Sequence, residues 1–312
     1  MEVIRMNLIE EVLEQERKVL KEVGYELNSF TADKQYPDRY YKDFLYNLFE
    51  NMQDKHKEQY GGGSGGELNA TQNKPAKMAS IRSSSAMTFN ILGNEDILMK
   101  AENVLNHREG CYQITYEKQY QAISSGNRQQ PANLDAFLES EDGSEVIFCE
   151  FKMLEWFSKN TGELKEAYKD KSNYKHEKIA IQFEKVINEI ERRASTGCFE
   201  YYDVWQMFKH TLAVHNFMQD KGWEKYKKVT LLNVVFEPDT AFMSIKAKDN
   251  YESQWNKEHE GYNQFKDALR DSKIFESHKN FDVQYISAKD FINCFDIPEK
   301  KRKYLRRYTL EG

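Results

Sequence analysis

The chain has 312 residues, a formal net charge of −6 at pH 7 and a pI near 5.8. This length predicts one large α/β domain or two smaller ones and is ample for a sizeable buried core. The acidic balance argues only weakly against nucleic-acid binding, because binding depends on where the Lys and Arg residues lie.

The cysteine content and the hydropathy pattern exclude several classes of protein. The four cysteines lie far apart and form no CxxC pair, which argues against a structural zinc site and favours a reduced, intracellular compartment. The N-terminal region mixes acids and bases, and no segment reaches the roughly 18 apolar residues of a membrane span. We therefore expect a soluble, cytoplasmic protein with no membrane partner.

The first third of the chain is predicted to be mainly helical. Apolar residues at helical spacing predict a helix over 6–24 that ends near Gly24, and a second helix over 40–52. The glycine-rich segment 60–67 is typical of a flexible loop. A polar, basic stretch precedes residues 86–105, where the apolar spacing indicates another helix.

Three β-strands follow in the predicted order. Residues 112–123 alternate in polarity, and the runs 133–139 and 145–152 are joined by a segment that contains Asp142-Gly143. An Asp-Gly pair between two such runs is a strong hairpin signal. The centre of the chain therefore predicts a β-meander.

The remainder alternates helices with strands. Two helices are predicted over 178–193 and 203–219, and an unbroken apolar run at 228–237 predicts a buried central strand. A helix at 261–271, a strand at 281–286, a short helix at 288–295 and a basic run at 300–307 complete the chain. This order is typical of an α/β fold.

The segment 131–152 concentrates the residues with catalytic chemistry. Glu150 and Lys152 are two positions apart on one predicted strand, so their side chains point to the same face. The hairpin brings Asp135 back beside them, because paired strands lie about 4.8 Å apart. A Glu-x-Lys sequence alone is often a solvated strand face, but Val146–Phe148 and Phe151 make ionised groups costly here unless they are paired or bind a metal.

Two carboxylates beside an ammonium group suit metal-assisted phosphodiester hydrolysis. Mg²⁺ prefers carboxylate oxygens and shares its coordination sphere with water and substrate phosphate. It polarises the phosphoryl oxygen and supplies hydroxide at neutral pH. Lys152 would orient the attacking water or neutralise the developing charge.

This segment resembles the signature of the PD-(D/E)xK superfamily. Pro131 to Asp135 is followed, 15 positions after Asp135, by Glu150-Phe151-Lys152. Residues 78–90 and 150–155 are also similar to a branch of bacterial restriction-endonuclease-like proteins. The resemblance covers about residues 60–240. It implies a restriction-endonuclease-like core, in which a mixed central sheet is flanked by helices, and metal or lysine roles for Asp135, Glu150 and Lys152.

The resemblance also implies a function and its cofactor. We expect a Mg²⁺-dependent endonuclease that hydrolyses DNA in defence or restriction, with Mn²⁺ as an alternative metal and RNA as an alternative substrate. The expected division of the chain is an N-terminal helical extension at 1–58, a nuclease-like domain at 59–296 and a basic C-terminal tail at 297–312. A homodimer is a further hypothesis, because cutting both strands usually requires two active sites.

Superfamily members often add an acidic residue before the meander and a polar residue on a later helix. Glu67 is the candidate for the first and would be a third metal ligand; otherwise it is a solvated glutamate near a helix N-terminus. Gln206 is the candidate for the second, with Gln182 as the alternative. Glu155 could reach the same site or face solvent. His210 and His215 are five residues apart, off the zinc-binding spacing.

Basic residues near the glycine-rich segment are the candidate contacts for nucleic acid. Lys74, Lys77 and Arg82 cluster there, and residues 300–307 form a second basic run that either binds phosphates or is simply solvated. Two rival functions remain: an inactive module of the same fold that binds nucleic acid or a partner, and an interaction protein whose Glu-x-Lys is a surface accident. Burial of Asp135 and Glu150 beside Lys152 would argue against both.

Overall fold

The computed structural model describes residues 2–25, 40–63, 66–71, 75–125 and 128–311. The helices are α1 (Glu2–Glu22), α2 (Asp54–Gly62), α3 (Ser84–Leu92), α4 (Glu177–Ala194), α5 (Val204–Lys221), α6 (Ile245–Asp271), α7 (Ile274–Ser277), α8 (Ala288–Asn293) and α9 (Glu299–Leu305). The strands are β1 (Ile97–Met99), β2 (Gly110–Ser125), β3 (Arg128–Ser140), β4 (Glu145–Lys152), β5 (Lys228–Val235) and β6 (Phe281–Ser287). Within the described residues, no helix is both long and apolar enough to cross a lipid bilayer.

The strands form one mixed sheet in the order β1-β2-β3-β4-β5-β6. The first four strands pair antiparallel, whereas β4, β5 and β6 run parallel. Parallel neighbours need a long crossover connection, and α4 and α5 supply it between β4 and β5. The expected α/β fold, a mixed central sheet flanked by helices, is confirmed.

Each face of the sheet carries its own hydrophobic cluster. On β4, Ile147, Cys149 and Phe151 pack into a cluster shared with α1, α3 and the C-terminal helices. Val146 and Phe148 point the other way, into a cluster shared with α4, α5 and part of α6. The strand is therefore buried on both faces, which explains why its sequence is almost continuously apolar.

The sheet changes over from one cluster to the other part-way along β2 and β3. On β2, Tyr116 packs in the first cluster and Tyr120 in the second, although regular alternation would place both on one face. Glu117 between them has a positive φ of 48°, a conformation that non-glycine residues adopt rarely. This irregularity curls the sheet beside the end of β4.

Both ends of the chain join the first cluster. Glu16 on α1 and Arg307 are fully buried, and the guanidinium Nε and Nη2 donate to Glu16 Oε1 at 2.8 and 2.5 Å. The sequence predicted that Arg307 belongs to an exposed basic run, but its charge is paired with Glu16 inside the core. The division into residues 1–58, 59–296 and 297–312 stays a prediction.

Two of the predicted helices are wrong. Residues 40–52 contain only a short 3₁₀ helix, Phe44–Asn47, because the buried Asn47 side chain donates to the carbonyl groups of Met78 and Ser80 instead of facing solvent on a regular helix. The helix predicted over 86–105 is α3 followed by β1. Gly93, at φ 90°, ends α3.

Most of the other predicted elements agree with the structure in type. The predicted strand 145–152 has the same bounds as β4, and α1, α4, α5, α8, β2, β3, β5 and β6 lie where they were expected within a few residues. The helix predicted at 261–271 is the C-terminal part of α6, which begins earlier at Ile245. The flexible loop predicted over 60–67 is wrong at its start, because the buried Tyr60 lies in the last turn of α2, which continues through Gly61 and Gly62; residues 64 and 65 lie outside the described residues.

Candidate functional site

The C-terminal end of β4 brings Asp135, Glu150 and Lys152 together. The β3–β4 ladder pairs Ala136 with Cys149, so the next register position places Asp135 opposite Glu150. Asp135 Oδ2 accepts a hydrogen bond from the Phe151 backbone N–H at 2.6 Å, which fixes its carboxyl group against β4. Glu150 is 4% exposed and Lys152 shares its face of the strand.

Helix α5 holds the Glu150 and Lys152 side chains in place. Lys152 Nζ lies 2.8 Å from Glu150 Oε1. Gln206 bridges the same two residues: its Nε2 donates to Glu150 Oε1 at 2.7 Å, and its Oε1 accepts from Lys152 Nζ at 2.5 Å. One helical turn on, His210 Nε2 lies 3.1 Å from Glu150 Oε2. The side chains of α5 therefore set the orientation of both charged groups.

Glu150 and Lys152 form an ion pair inside this framework. Burial alone would raise the pKa of Glu150, but the charges of Lys152 and His210 hold it below its ordinary value. Burial would likewise lower the pKa of Lys152, but Glu150 and Glu155 raise it above its ordinary value. Both residues are therefore ionised near neutral pH, and Lys152 acts as a fixed cation rather than as a proton acceptor.

Asp135 lies in a less compensated environment. Burial, together with the Glu150 and Glu117 carboxylates, raises its pKa well above the ordinary value. Burial also raises the pKa of Glu117, and Glu67 and Glu150 raise it further. A cation bound here would relieve the repulsion between these carboxylates.

An open cleft of about 550 Å³ exposes this cluster. Of the residues predicted for the site, the cleft is lined by Asp135, Glu150, Lys152, Glu67, Gln206, Lys77 and Arg82. Glu67 Oε2 accepts from Ser85 Oγ at 2.9 Å, and its Oε1 lies 3.3 Å from Lys77 Nζ. Lys74 lies outside the described residues.

The structure distinguishes between the alternative site residues that the sequence suggested. Gln182 is on α4, where its Nε2 donates to Ser277 Oγ at 3.0 Å, and it does not line the cleft. Glu155 does line the cleft, and its Oε2 accepts from the Met153 backbone N–H at 2.6 Å. Gln206 is thus the glutamine that reaches the charged pair.

Sequence reasoning missed Glu117 and the contact of His210 with Glu150. Glu117 lies on β2 at the register position opposite Asp135, and it is 8% exposed. Its only sequence signal is an acidic residue in the middle of a strand otherwise rich in Tyr and Ile. The i, i+4 spacing of Gln206 and His210 predicted that both lie on one face of the helix, but it did not predict that His210 contacts Glu150.

The donor set fits a hard divalent cation. Among the described residues, no group of three or more His, Cys, Asp or Glu side chains is arranged to hold a metal ion. Mg²⁺, however, is commonly held by one or two carboxylates with water and substrate phosphate completing its coordination. Asp135 and Glu150 supply two such carboxylates in a cleft large enough for the remaining ligands.

Comparison with protein-family models decides the classification. Residues 7–305 match the model of the family described as restriction endonuclease associating with ARP. The chain belongs to this family. Its description indicates a nuclease-type function, which agrees with the resemblance inferred from residues 131–152. No match was found among curated proteins or among solved structures.

Proposed function

We propose that the protein is a Mg²⁺-dependent endonuclease that hydrolyses phosphodiester bonds of DNA. The observation that carries this proposal is the buried pair of Glu150 and Lys152, 2.8 Å apart, beside the poorly compensated carboxyl group of Asp135 in an open cleft. A purely structural sheet has no need to place such charges together. The restriction-endonuclease family favours DNA as the substrate.

In this proposal the carboxylates hold the cation and the other residues fix their geometry. Asp135 and Glu150 would bind Mg²⁺, and Glu67 is the candidate third acidic residue across the cleft. A bound Mg²⁺ supplies charge stabilisation to the phosphoryl group and lowers the pKa of the attacking water. Gln206 hydrogen-bonds to both Glu150 and Lys152 and so fixes the orientation of one side chain relative to the other.

Lys152 and the basic residues of the rim act on the substrate itself. Because Lys152 carries a permanent charge, its ammonium group donates to the attacking water or to a phosphoryl oxygen and stabilises the charge that develops there. Lys77 and Arg82, which line the cleft, would neutralise the neighbouring phosphates, so binding should weaken as the salt concentration rises.

Cleavage of plasmid and single-stranded DNA by wild type and by Lys152→Ala, in Mg²⁺, in Mn²⁺ and in EDTA, tests the proposal. RNA serves as the competing substrate. We expect metal-dependent cutting of DNA that falls by about 10²-fold or more in the variant, the loss typical of removing one preorganised electrostatic group. Lys118→Ala is the matched control, because Lys118 is a partly buried lysine on β2 that lies over the Phe137 ring and does not line the cleft.

The outcomes separate the rival functions. If wild type cuts neither DNA nor RNA under any of these conditions but binds them, the fold serves as a binding module. If Lys152→Ala cuts as well as wild type, Asp135, Glu150 and Lys152 are not the catalytic centre. Preferential cutting of RNA would keep the site and overturn the choice of substrate.

We also propose that a homodimer cuts both strands, since twofold dimers are the commonest soluble assemblies. The mass of the protein in solution, measured with and without a DNA duplex in EDTA, tests this. A monomeric mass in both conditions would contradict it.

A further inference from the structure

Strands β2 and β3 continue past the end of β4 as a two-stranded ribbon, residues 118–125 and 128–134. The β3–β4 ladder pairs Ala136 with Cys149, and β4 ends three residues later at Lys152. Continuing this register places Asn133 opposite Lys152, so residues 128–132 extend beyond it. These residues span about 16 Å of strand, which is about the length of five base pairs of DNA.

One face of the ribbon packs against α5. Tyr120 and Leu134 are buried there in the second cluster. The Asn216 side chain on α5 donates to the carbonyl groups of Gln121 and Ala122 at 3.0 and 2.7 Å. Because α5 also holds the charged pair of the candidate site, it fixes the ribbon relative to that site.

The opposite face of the ribbon carries four amide side chains. Side chains alternate along a strand, so the neighbours of the buried residues Tyr120, Ala132 and Leu134 point away from α5. The four residues, called the amide strip below, are Gln119 and Gln121 on β2 and Gln129 and Asn133 on β3.

The amide strip is continuous with the candidate site. Gln119 and Asn133 pair directly across the two strands, and Asn133 lines the cleft together with Asp135. Farther from the cleft, Gln121 is half-buried, whereas Gln129 is exposed, as is Gln119. A substrate held in the cleft at Asp135 therefore lies against the near end of the strip.

The ribbon has few of the charges that are typical of a solvated surface. Charged residues make up 31% of the chain, but among residues 118–134 only Lys118 and Arg128 are charged and none is acidic. The same segment contains four glutamines and two asparagines. Solvated surfaces normally carry charges of both signs, whereas acidic side chains would repel DNA phosphates. The composition therefore favours a surface that contacts nucleic acid.

We propose that the ribbon enters the major groove of the DNA substrate and that the amide strip recognises adenine bases beside the phosphate that is cut. The major groove admits a two-stranded β-ribbon, and Asn and Gln side chains form paired hydrogen bonds with N6 and N7 of adenine. The proposal rests on the proposed nuclease function only for the identity of the substrate. It assigns sequence selection to a surface separate from the groups that act on the phosphate.

Selection from a pool of DNA duplexes with a randomised centre tests the proposal without any cleavage. The pool is bound in EDTA, and the sequences recovered by wild type are compared with those recovered by Gln119→Leu and Gln129→Leu. Leucine is similar in size to glutamine but has no side-chain donor or acceptor. We expect wild type to enrich a sequence with adenine at two or more positions. Each variant should lose a preference of about fivefold or more at one of them, the discrimination typical of one paired contact to a base.

The substitution Gln129→Glu makes the test specific to base recognition. A carboxylate accepts from the N4 amino group of cytosine but cannot donate to N7 of adenine. The preferred base at the affected position should therefore change from adenine to cytosine, which destabilisation of the protein would not produce.

The control for these variants is Gln113→Leu. Gln113 is exposed on the same strand, but it pairs with Glu139 beside β4 and does not belong to the ribbon. This variant should recover the same sequence as wild type. Thermal melting of each variant verifies that it is folded.

The results also separate this proposal from the nuclease function. The proposal would be overturned if wild type enriched no sequence or one without adenine, or if the ribbon variants recovered the wild-type sequence. None of these results would affect metal-dependent cutting that depends on Lys152. Conversely, a change from adenine to cytosine with Gln129→Glu, in a protein that never cuts DNA, would retain the recognition surface and overturn the enzyme.

Discussion

The two ends of strand β4 carry similar residues in contrasting environments. At its start, Glu145 Oε2 accepts from the Arg108 N–H at 3.0 Å and lies 2.8 Å from His107 Nδ1. The other ring nitrogen, His107 Nε2, lies 2.9 Å from Thr230 Oγ1. At its end, Glu150 pairs with Lys152, but the nearby Asp135 has no comparable counter-charge and faces an open cleft.

This contrast shows how a fully compensated charge cluster differs from the cluster that we propose to be functional. The cluster at the start of β4 uses both nitrogens of His107 internally and contributes to stability. The cluster at the end leaves several carboxylates close together, which costs stability unless a ligand neutralises them. Glutamate, histidine and a basic residue meet at both ends, so it is the incompletely compensated negative charge that distinguishes the candidate site.

The largest expected effect concerns the pH dependence of stability at the start of β4. Burial lowers the pKa of His107 from 6.5 to about 4, so the unfolded chain takes up a proton that the folded protein excludes. The stabilisation is complete above pH 6.5 and is lost as the pH falls toward 4, by roughly 3 kcal/mol. We expect urea denaturation at a series of pH values to show this loss in wild type.

The substitution His107→Gln isolates that contribution, because glutamine does not titrate. Between pH 6.5 and 4, wild type should lose roughly 3 kcal/mol of unfolding free energy relative to the variant. His215, whose pKa burial lowers to about 3, remains in both proteins and cancels in the comparison. A difference that is independent of pH would show that folding does not lower the pKa of His107.

An intermediate effect is expected at the end of β4. Gln206→Leu removes the bridge between Glu150 and Lys152 but none of the proposed catalytic groups. We expect cleavage to fall by about 10- to 100-fold, as is typical when a residue that orients a metal ligand is removed. The control is Gln182→Leu, which replaces the same residue type on α4, outside the cleft. Equal losses in both variants would reflect general destabilisation.

The smallest expected effect is a gain in stability rather than a loss. Asp135→Asn removes a carboxylate that burial, Glu150 and Glu117 all disfavour. The variant should therefore be more stable than wild type in EDTA at pH 7, by about 0.5–2 kcal/mol, the gain typical of a single stabilising substitution, although it should no longer cut DNA. The gain should shrink as the pH falls, because the wild-type carboxyl group then becomes protonated.

Asp142→Asn provides the contrast for this prediction in the same denaturation assay. Hydrogen bonds from Ser144 and Ser140 hold the pKa of Asp142 below its ordinary value, so its negative charge is favoured and its removal should not stabilise the protein. Stabilisation by both substitutions would point to a general effect of net charge. If neither substitution stabilises the protein, the surroundings of Asp135 already balance its negative charge.

The sequence predicted the positions of the candidate site residues better where these residues are close together in the chain. Glu150 and Lys152 share one strand, and the Asp142-Gly143 turn places Asp135 opposite them, so hairpin and alternation rules were sufficient. Gln206 required the family resemblance in addition. These rules could not place Glu117 in the site. Its backbone has a positive φ, which changes the face of the sheet to which the following residues of β2 point.

The wrong helix at 40–52 has a related cause. The apolar spacing there is genuine, but the buried Asn47 side chain hydrogen-bonds to carbonyl groups more than 30 residues away. Local periodicity carries no information about such a partner. The His107–Glu145 contact likewise joins residues 38 positions apart and became visible only in the folded chain.

The ion pair between Glu16 and Arg307 has a consequence for how the protein is made. The two residues are 291 positions apart, so helix α1 emerges from the ribosome long before its charged partner exists. Ile9 of the same helix lines the cleft. We therefore expect the cleft to be completed only after Arg307 has left the ribosome. Protease protection of α1 in ribosome-bound chains that end before or after Arg307, each extended by the same flexible linker so that its last residue lies outside the ribosome, would measure when this happens.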